Sequence, residues 1–534
     1  MSGTEGAHHF LQVPQMLTKS MEYHYPAEFI VPTNITYDIG PIGNAFETEF
    51  EQQEIQIGLR LEDFQQGLLV VGGTAKQRFL TNFKMVYEAA LAEENYFIIT
   101  TNQEWRRMLD LIPQACVVRL GTDLTLNPLD AEGADAMTHV TLIAQAFAQA
   151  FYLSRLGEEH LVESLVTLLE RSRGDAGTPS LEELEAILEN KVAASRGAIG
   201  HELGVITQAL MNMGYGSLSQ VFGNTNIPLD QLMNGITIVE IGAMPQQDLQ
   251  FVTLCLLAKL LSFSTIHPQR HQVLIETADA LMLHDPRSAK VRDIEHYLLD
   301  WVQQFRSHQK GIHLSFGSPA RAPLVLLNTF HTIVTFKITS YEDVQVISNL
   351  LQFLPDRLVH SRERHDNYQV EFLKTQPSDL FILKRADIAN AFPVRMVLPD
   401  FSKTHIGAVE DLQDRVRLFF PSWNAPQAIS RVALERSFRG KDVIIAQRIL
   451  TLLQEYPDLG TSGIFSSLRS SLDLDLEMVE LEGVLNRLVQ LSYLAVIERD
   501  DGRGHGHKSY QLKERGTTAL EEYIAEVNRR ATLP

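Results

Sequence analysis

Residues 65–120 read QQGLLVVGGTAKQRFLTNFKMVYEAALAEENYFIITTNQEWRRMLDLIPQACVVRL. An apolar run leads to a glycine pair, Gly72 and Gly73, and then to a helical stretch; YFIIT, a second helical stretch and ACVVRL follow. Short apolar runs alternating with helical segments are a βαβαβ pattern, which predicts a mainly parallel sheet covered by helices. Four later runs continue it: GITIVEIG (235–242), HQVLIET (271–277), GIHLSFGS (311–318) and HTIVTFKIT (331–339). They are unbroken apolar stretches of the buried kind, and helical stretches join the first three.

Outward from this core, a chain of 534 residues is long enough for about three to four domains. Its 45% hydrophobic and 21% charged content is that of a globular protein. A net charge of −20 excludes a surface broadly matched to nucleic acid, so any such contact must be local. Cys116 and Cys255, both in apolar runs, exclude a disulfide framework and a cysteine zinc site and suggest a cytoplasmic protein. No secretion signal or membrane span is predicted. The nearest candidate, FVTLCLLAKLLSF (251–263), is short and interrupted by Lys259, and reads as a buried core helix.

The predicted organisation begins with a β-rich appendage over 1–60, followed by an α/β domain over 61–420. Within the latter, 135–231 is a helical insertion, where Ser180 and Glu183 form a capping box that starts a helix. A linker over 421–440 precedes a C-terminal unit, 441–534, with three helices and a hairpin, the pattern of a winged helix-turn-helix. Its third helix carries Glu477, Glu480 and Glu482 against Arg487, and the unit has 15 acidic and 11 basic residues. That balance disfavours ordinary groove reading. At the wing tip, Arg503, His505, His507 and Lys508 are candidates for contact with a nucleic-acid backbone, so protein docking and DNA contact both stay open. His505 and His507 share a strand face, but a solvated wing explains them better than a metal chelate, as a flexible terminal pair does His8 and His9; no metal site is predicted. No G-x-S-x-G or H-E-x-x-H constellation occurs.

A strand, a glycine-rich turn and a helix make the usual setting for phosphate, because backbone N–H groups and the helix N-terminus attract its oxygens. Laid on G-x-x-x-x-G-K-[ST], the stretch is Gly72, Gly73, Thr74, Ala75, Lys76, Gln77, Arg78, Phe79. The first glycine alone matches. Gln77 replaces the second glycine, Arg78 the lysine, and Phe79 has no hydroxyl to offer Mg²⁺.

With the segments ITTNQEWRRMLDL and LGTDLTLNPLDAEG, residues from about 40 to 400 resemble the HerA/FtsK superfamily of hexameric P-loop DNA-pumping ATPases, especially its HerA-like branch. Asn102 stands nearest that branch's Asp, Glu104, Trp105 and Arg106 fit its Glu-aromatic-Arg stretch, and NPLD (127–130) is intact. In HQVLIETADALM, the resemblance makes Glu276 the first acid of the metal-binding strand, with Thr277 in place of the water-polarising acid and Asp279 in place of His. Ser318 takes the position of the polar sensor, and Arg321 is a candidate arginine finger that reads more simply as a surface or interface residue. The resemblance therefore implies a RecA-like P-loop NTPase domain, α/β in class, with a degenerate nucleotide site at Gly72, Gly73, Thr74, Lys76, Arg78 and Glu276.

No cofactor is fixed by these residues; ATP or ADP held without efficient hydrolysis is what the resemblance implies. It also implies a homo- or hetero-oligomer of hexameric type, alongside an active paralogous ATPase or a nuclease, with DNA and no membrane. The preferred reading is a pseudo-ATPase serving as a structural or regulatory subunit. Two alternatives stay open: an active DNA translocase using Arg78 and Lys76 for the lysine, and a DNA-binding regulator acting through the winged helix.

Overall fold

The computed structural model describes residues 29, 31–32, 35–45, 55–175, 178–195, 197–213, 218–276, 278–282, 291–353, 368–407, 409–420, 423, 433–438, 441–471, 477–500 and 506–531. The main sheet is made of β1 (Ile39–Ala45), β2 (Gln56–Leu59), β3 (Leu68–Val71), β4 (Tyr96–Thr100), β5 (Ala115–Leu120), β6 (Ile236–Ile241), β7 (Gln272–Ile275), β8 (Gly311–Phe316), β9 (Thr332–Thr335), β10 (Leu380–Lys384) and β11 (Phe392–Met396). Their order across it is β2-β1-β11-β10-β9-β3-β8-β7-β4-β6-β5. From β9 to β5 every pairing is parallel, while β10, β11, β1 and β2 add an antiparallel flank. The α/β class with a mainly parallel sheet is thus the one observed. The N-terminal residues read as an appendage supply two strands of this sheet, and β10 and β11 were not foreseen as strands.

The long helices are α1 (Ala75–Leu91), α2 (Ala136–Phe151), α3 (Arg155–Asp175), α4 (Leu181–Ala194), α5 (Ala198–Met213), α6 (Gln246–Ser264), α7 (Val291–Ser307), α8 (Lys441–Glu455), α9 (Thr461–Ser471), α10 (Met478–Gln490) and α11 (Glu514–Ala531). The chain divides into two compact units. One holds residues 1–124, 131–135 and 227–424; the other holds 125–130, 136–226 and 425–534.

In the first unit, helix-covered strands are apolar throughout: Leu68, Leu69, Val70 and Val71 are all fully buried. Burying one such side chain contributes roughly 1.5–3 kcal/mol. Helix α6 contains the apolar run 251–263 and is buried from Gln250 to Ser264. Its Lys259 is paired with Glu132 at 2.8 Å, so the core-helix reading holds, and among the described residues no helix is long and apolar enough to cross a membrane. At the start of the edge strand β5, Arg415 from the helix Val409–Phe419 donates to the Ala115 and Pro113 carbonyls at 3.0 and 2.6 Å.

The second unit contains the helical insertion and the C-terminal residues. Ser180 and Glu183 form the expected capping box at the start of α4. The intact NPLD motif serves structure here: Asn127 accepts from the Leu129 amide at 3.0 Å and donates to the Pro179 carbonyl at 2.8 Å. In the C-terminal part, α8, α9 and α10 share a core with Tyr493 and Leu494. Strands β12 (Leu459–Gly460), β13 (Leu494–Asp500) and β14 (Gly506–Leu512) form a separate sheet in the order β12-β14-β13.

Arg385 binds the antiparallel flank of the first unit together. It donates to the Gly58 and Thr36 carbonyls at 2.9 and 3.0 Å and to Asp387 at 2.8 Å, and its Nε lies 3.6 Å from buried Asp63. Arg385→Met leaves the Asp63 carboxylate without its counter-charge. It should cost about 3–5 kcal/mol, read as a lower denaturant midpoint by tryptophan fluorescence; an unchanged midpoint would mean that the flank does not need this ion pair.

Candidate functional site

Strand β3 lies between β8 and β9, and β7 lies on the far side of β8. The turns after β3, β7 and β8 therefore meet at the carboxyl edge of the parallel sheet, where α/β proteins place their ligands. Helix α1 begins at Ala75 with Thr74 as its N-cap. Three residues, Gly72, Gly73 and Thr74, separate it from β3. Gln77, Arg78 and Phe79, which align with the G-K-[ST] end of a phosphate loop, are already helical.

Four of the six amides from Gly72 to Gln77 are engaged within the protein. Gly72 N–H donates to the Phe316 carbonyl at 3.3 Å and Gly73 N–H to the Lys337 carbonyl at 2.9 Å. Thr74 N–H donates to the Gln77 side-chain oxygen at 2.8 Å, and Gln77 N–H to Thr74 Oγ1 at 3.2 Å. The amide of the Gln77 side chain then donates to the Ser378 carbonyl at 2.8 Å. Both glycines have positive φ, +77° and +57°, and a Cβ on them would come within 2.9 Å of the Phe336 carbonyl oxygen and 2.6 Å of the Phe336 Cβ respectively. Close passage across the chain beyond β9 thus accounts for the glycine pair without a phosphate.

Arg78 is buried, and its Nη1 donates to the Gly72 and Gly73 carbonyls at 2.9 and 3.1 Å. The same nitrogen lies 3.6 Å from where a Cβ on Gly317 would stand, so the guanidinium reaches from the first turn to the end of β8. Burial pushes its pKa below the ordinary value, while the charges of Asp279 and Glu276 work the other way. Asp279 accepts from the Gly317 amide at 3.1 Å.

Glu276, just past β7, is buried and accepts from Trp105 Nε1 at 2.8 Å and from Thr100 Oγ1. Burial drives its carboxyl above the ordinary glutamate range; the hydrogen bonds from Thr100, Trp105 and Asn102 and the charge of Arg78 oppose this in part. Phe79, standing where the Mg²⁺ hydroxyl would be, packs against Phe83 and Trp105 with ring centres 5.6 Å apart in each case. Arg106 grips Glu240 of β6 with two bonds of 2.7 and 2.8 Å, and Glu104 pairs with Arg107 at 2.7 Å. Ser318 Oγ donates to Asp343 at 2.8 Å. Lys76, Thr74 and Arg321 are exposed.

The candidate residues Gly72, Gly73, Arg78 and Glu276 thus converge, with Asp279 joining them, while Lys76 stays at the exposed rim. Thr100, Glu240 and Asp343 were not foreseen; the alternation of side chains along β4 and β6 puts Thr100 and Glu240 on one face with the apolar core, a signal hidden in otherwise apolar strands. Thr277, Arg503, His505, His8 and His9 lie outside the described residues, as does the His507 side chain; Lys508 is exposed on β14. A nucleotide with Mg²⁺ does not fit these residues: the turn is short, its amides are largely engaged, and the hydroxyl and lysine are missing.

The chain is similar to a VirB4 protein. That structure, from Thermoanaerobacter pseudethanolicus, superposes with a TM-score of 0.49 at 11% identity, covering 70% of this chain and 99% of that one. Plasmid coupling protein TrwB in complex with the GTP analogue GDPNP gives 0.48 at 15% identity, over 71% and 99%. The genome packaging NTPase B204 from Sulfolobus turreted icosahedral virus 2 gives 0.29 at 9%, over 62% and 97%. No family model and no curated protein matches the chain. At these similarities the fold reading rests on the strand order itself.

Glu276 provides a pH test. Its raised pKa means that holding it ionised lowers stability above that pKa, a cost that disappears once the group is protonated at lower pH. Glu276→Gln should therefore raise the unfolding midpoint most at neutral pH, with the gain shrinking as pH falls through the glutamate range. A gain that grows on acidification would show the opposite shift.

Proposed function

We propose that this chain is a catalytically degenerate HerA-like ATPase-fold protein acting as a structural or regulatory subunit of an oligomeric DNA-processing complex. The observation that carries the reading is Arg78: its guanidinium holds the carbonyls of the turn after β3 and faces Glu276 and Asp279. A fixed internal cation there serves the charge balance that Mg²⁺ and a lysine serve in an active phosphate site, and it leaves the turn closed.

Phosphoryl transfer is catalysed by positioning and charge stabilisation, and losing one electrostatic partner commonly costs ~10²- to 10³-fold in rate. In this reading several are replaced together, at Gln77, Arg78, Phe79, Thr277 and Ser318, so turnover falls to background. Residues 61–420 are then the RecA-type domain, 135–231 its insertion and 441–534 a winged helix. The edge carrying Arg321 would face a like or paralogous subunit in a ring.

The reading is tested by phosphate release and calorimetry with Mg²⁺-ATP, with and without duplex DNA. Hydrolysis at background and no metal-dependent binding are expected, and Arg78→Ala should not create turnover. DNA-stimulated hydrolysis that Arg78→Ala and Glu276→Gln each abolish would overturn the reading in favour of an active translocase.

A further inference from the structure

Helix α4 carries Glu182, Glu183, Glu185 and Glu189 within its 14 residues. Three of these acids meet the C-terminal residues of the same compact unit. Arg487, in the last turn of α10, binds Glu183 at 2.5 Å, and Arg515, at the start of α11, binds Glu189 at 2.5 Å and Glu185 at 3.3 Å. Asn190 donates to Ser492 Oγ at 3.0 Å, and the Arg515 guanidinium lies 5.8 Å from the centre of the Tyr493 ring. The side chains of Glu183 and Glu185 are only 11% and 13% exposed, so salt screens these pairs less than it would surface pairs.

We propose that α4 is an intramolecular cover, holding the two arginines of the C-terminal module away from the phosphates of duplex DNA. The row of carboxylates gives Arg487 and Arg515 the negative charge that successive phosphates would give them. With 15 acidic against 11 basic residues from Lys441 onward, the net charge of the module opposes the approach of a polyanion. Arg515 lies over Tyr493, just before the base of the β13–β14 hairpin, while Lys508 sits farther along β14, opposite Glu498. On this account the acidic α10 does not enter a groove; DNA is met by backbone contact alone, after α4 withdraws. The choice of DNA rests on the DNA-processing reading above, whereas the cover rests on the second unit alone.

The test uses the full chain and a short fluorescein-labelled duplex. Glu183→Gln, Glu185→Gln and Glu189→Gln together neutralise the cover while Gln keeps the capping box. A control of equal charge change substitutes Glu159, Glu163 and Glu182 by Gln. The cover variant should show faster amide exchange in α10 and α11 and bind DNA roughly tenfold or more tightly at low salt. Its log K against log salt should steepen by about 2, since each phosphate contact contributes ~0.9. The control should gain neither, and adding Arg487→Ala and Arg515→Ala should remove the gain. Faster exchange without tighter binding, an equal gain in the control, or unchanged exchange would each overturn the proposal. ATP binding near Gly72 is not read by this assay, so its outcome leaves the nucleotide reading separately testable.

Discussion

The guanidinium of Arg78 ties the turn after β3 to the end of β8 and sets a positive charge against two carboxylates, Glu276 and Asp279. A buried cation is tolerated when its donors are matched and its charge is opposed. Here two carbonyls accept from the guanidinium, and the charges of Asp279 and Glu276 oppose its own. Phosphate groups approaching the turn would find four of the six backbone amides from Gly72 to Gln77 already donating within the protein. The capping box of Thr74 and Gln77 uses two amides of the turn, and Phe79, on the helix that follows, packs against Phe83 and Trp105.

Much of the main sheet could be read directly from the chain. LLVV, YFIIT, ACVVRL, ITIVEI and GIHLSF are apolar because helices cover both faces, and that burial is written into composition. The flank was harder. FPVRM in β11 begins its second residue with proline and carries an exposed arginine, which weakens the strand signal. The N-terminal strands are short and broken by glycine, so their membership in the same sheet depends on pairing with β11, some 350 residues away, which no local pattern encodes.

The site was legible at the level of residue type and less so in geometry. Gly72, Gly73, Arg78 and Glu276 were singled out by position in a motif, and the three-dimensional arrangement brings them to one edge. What spacing could not reveal is that Arg78 turns back on the two carbonyls before it, or that Trp105 reaches Glu276 across 171 positions. Such contacts depend on how α1 and the 3₁₀ turn at Gln103–Arg107 sit on the sheet, a tertiary property. In the second unit the same limit applies: Glu183 was read as half of a capping box, and the arginine partners of the α4 acids lie about 300 positions downstream.

The grip of Arg415 on the start of β5 has a wider consequence. An unguarded outer strand offers a row of amides and carbonyls to which a foreign chain can add itself. Here the first carbonyls on that side are already bound by a side chain of a neighbouring helix. A companion chain arriving at that end meets the Arg415 guanidinium before it meets the Ala115 carbonyl. Addition of a strand would therefore have to displace this guanidinium at the first residue of β5.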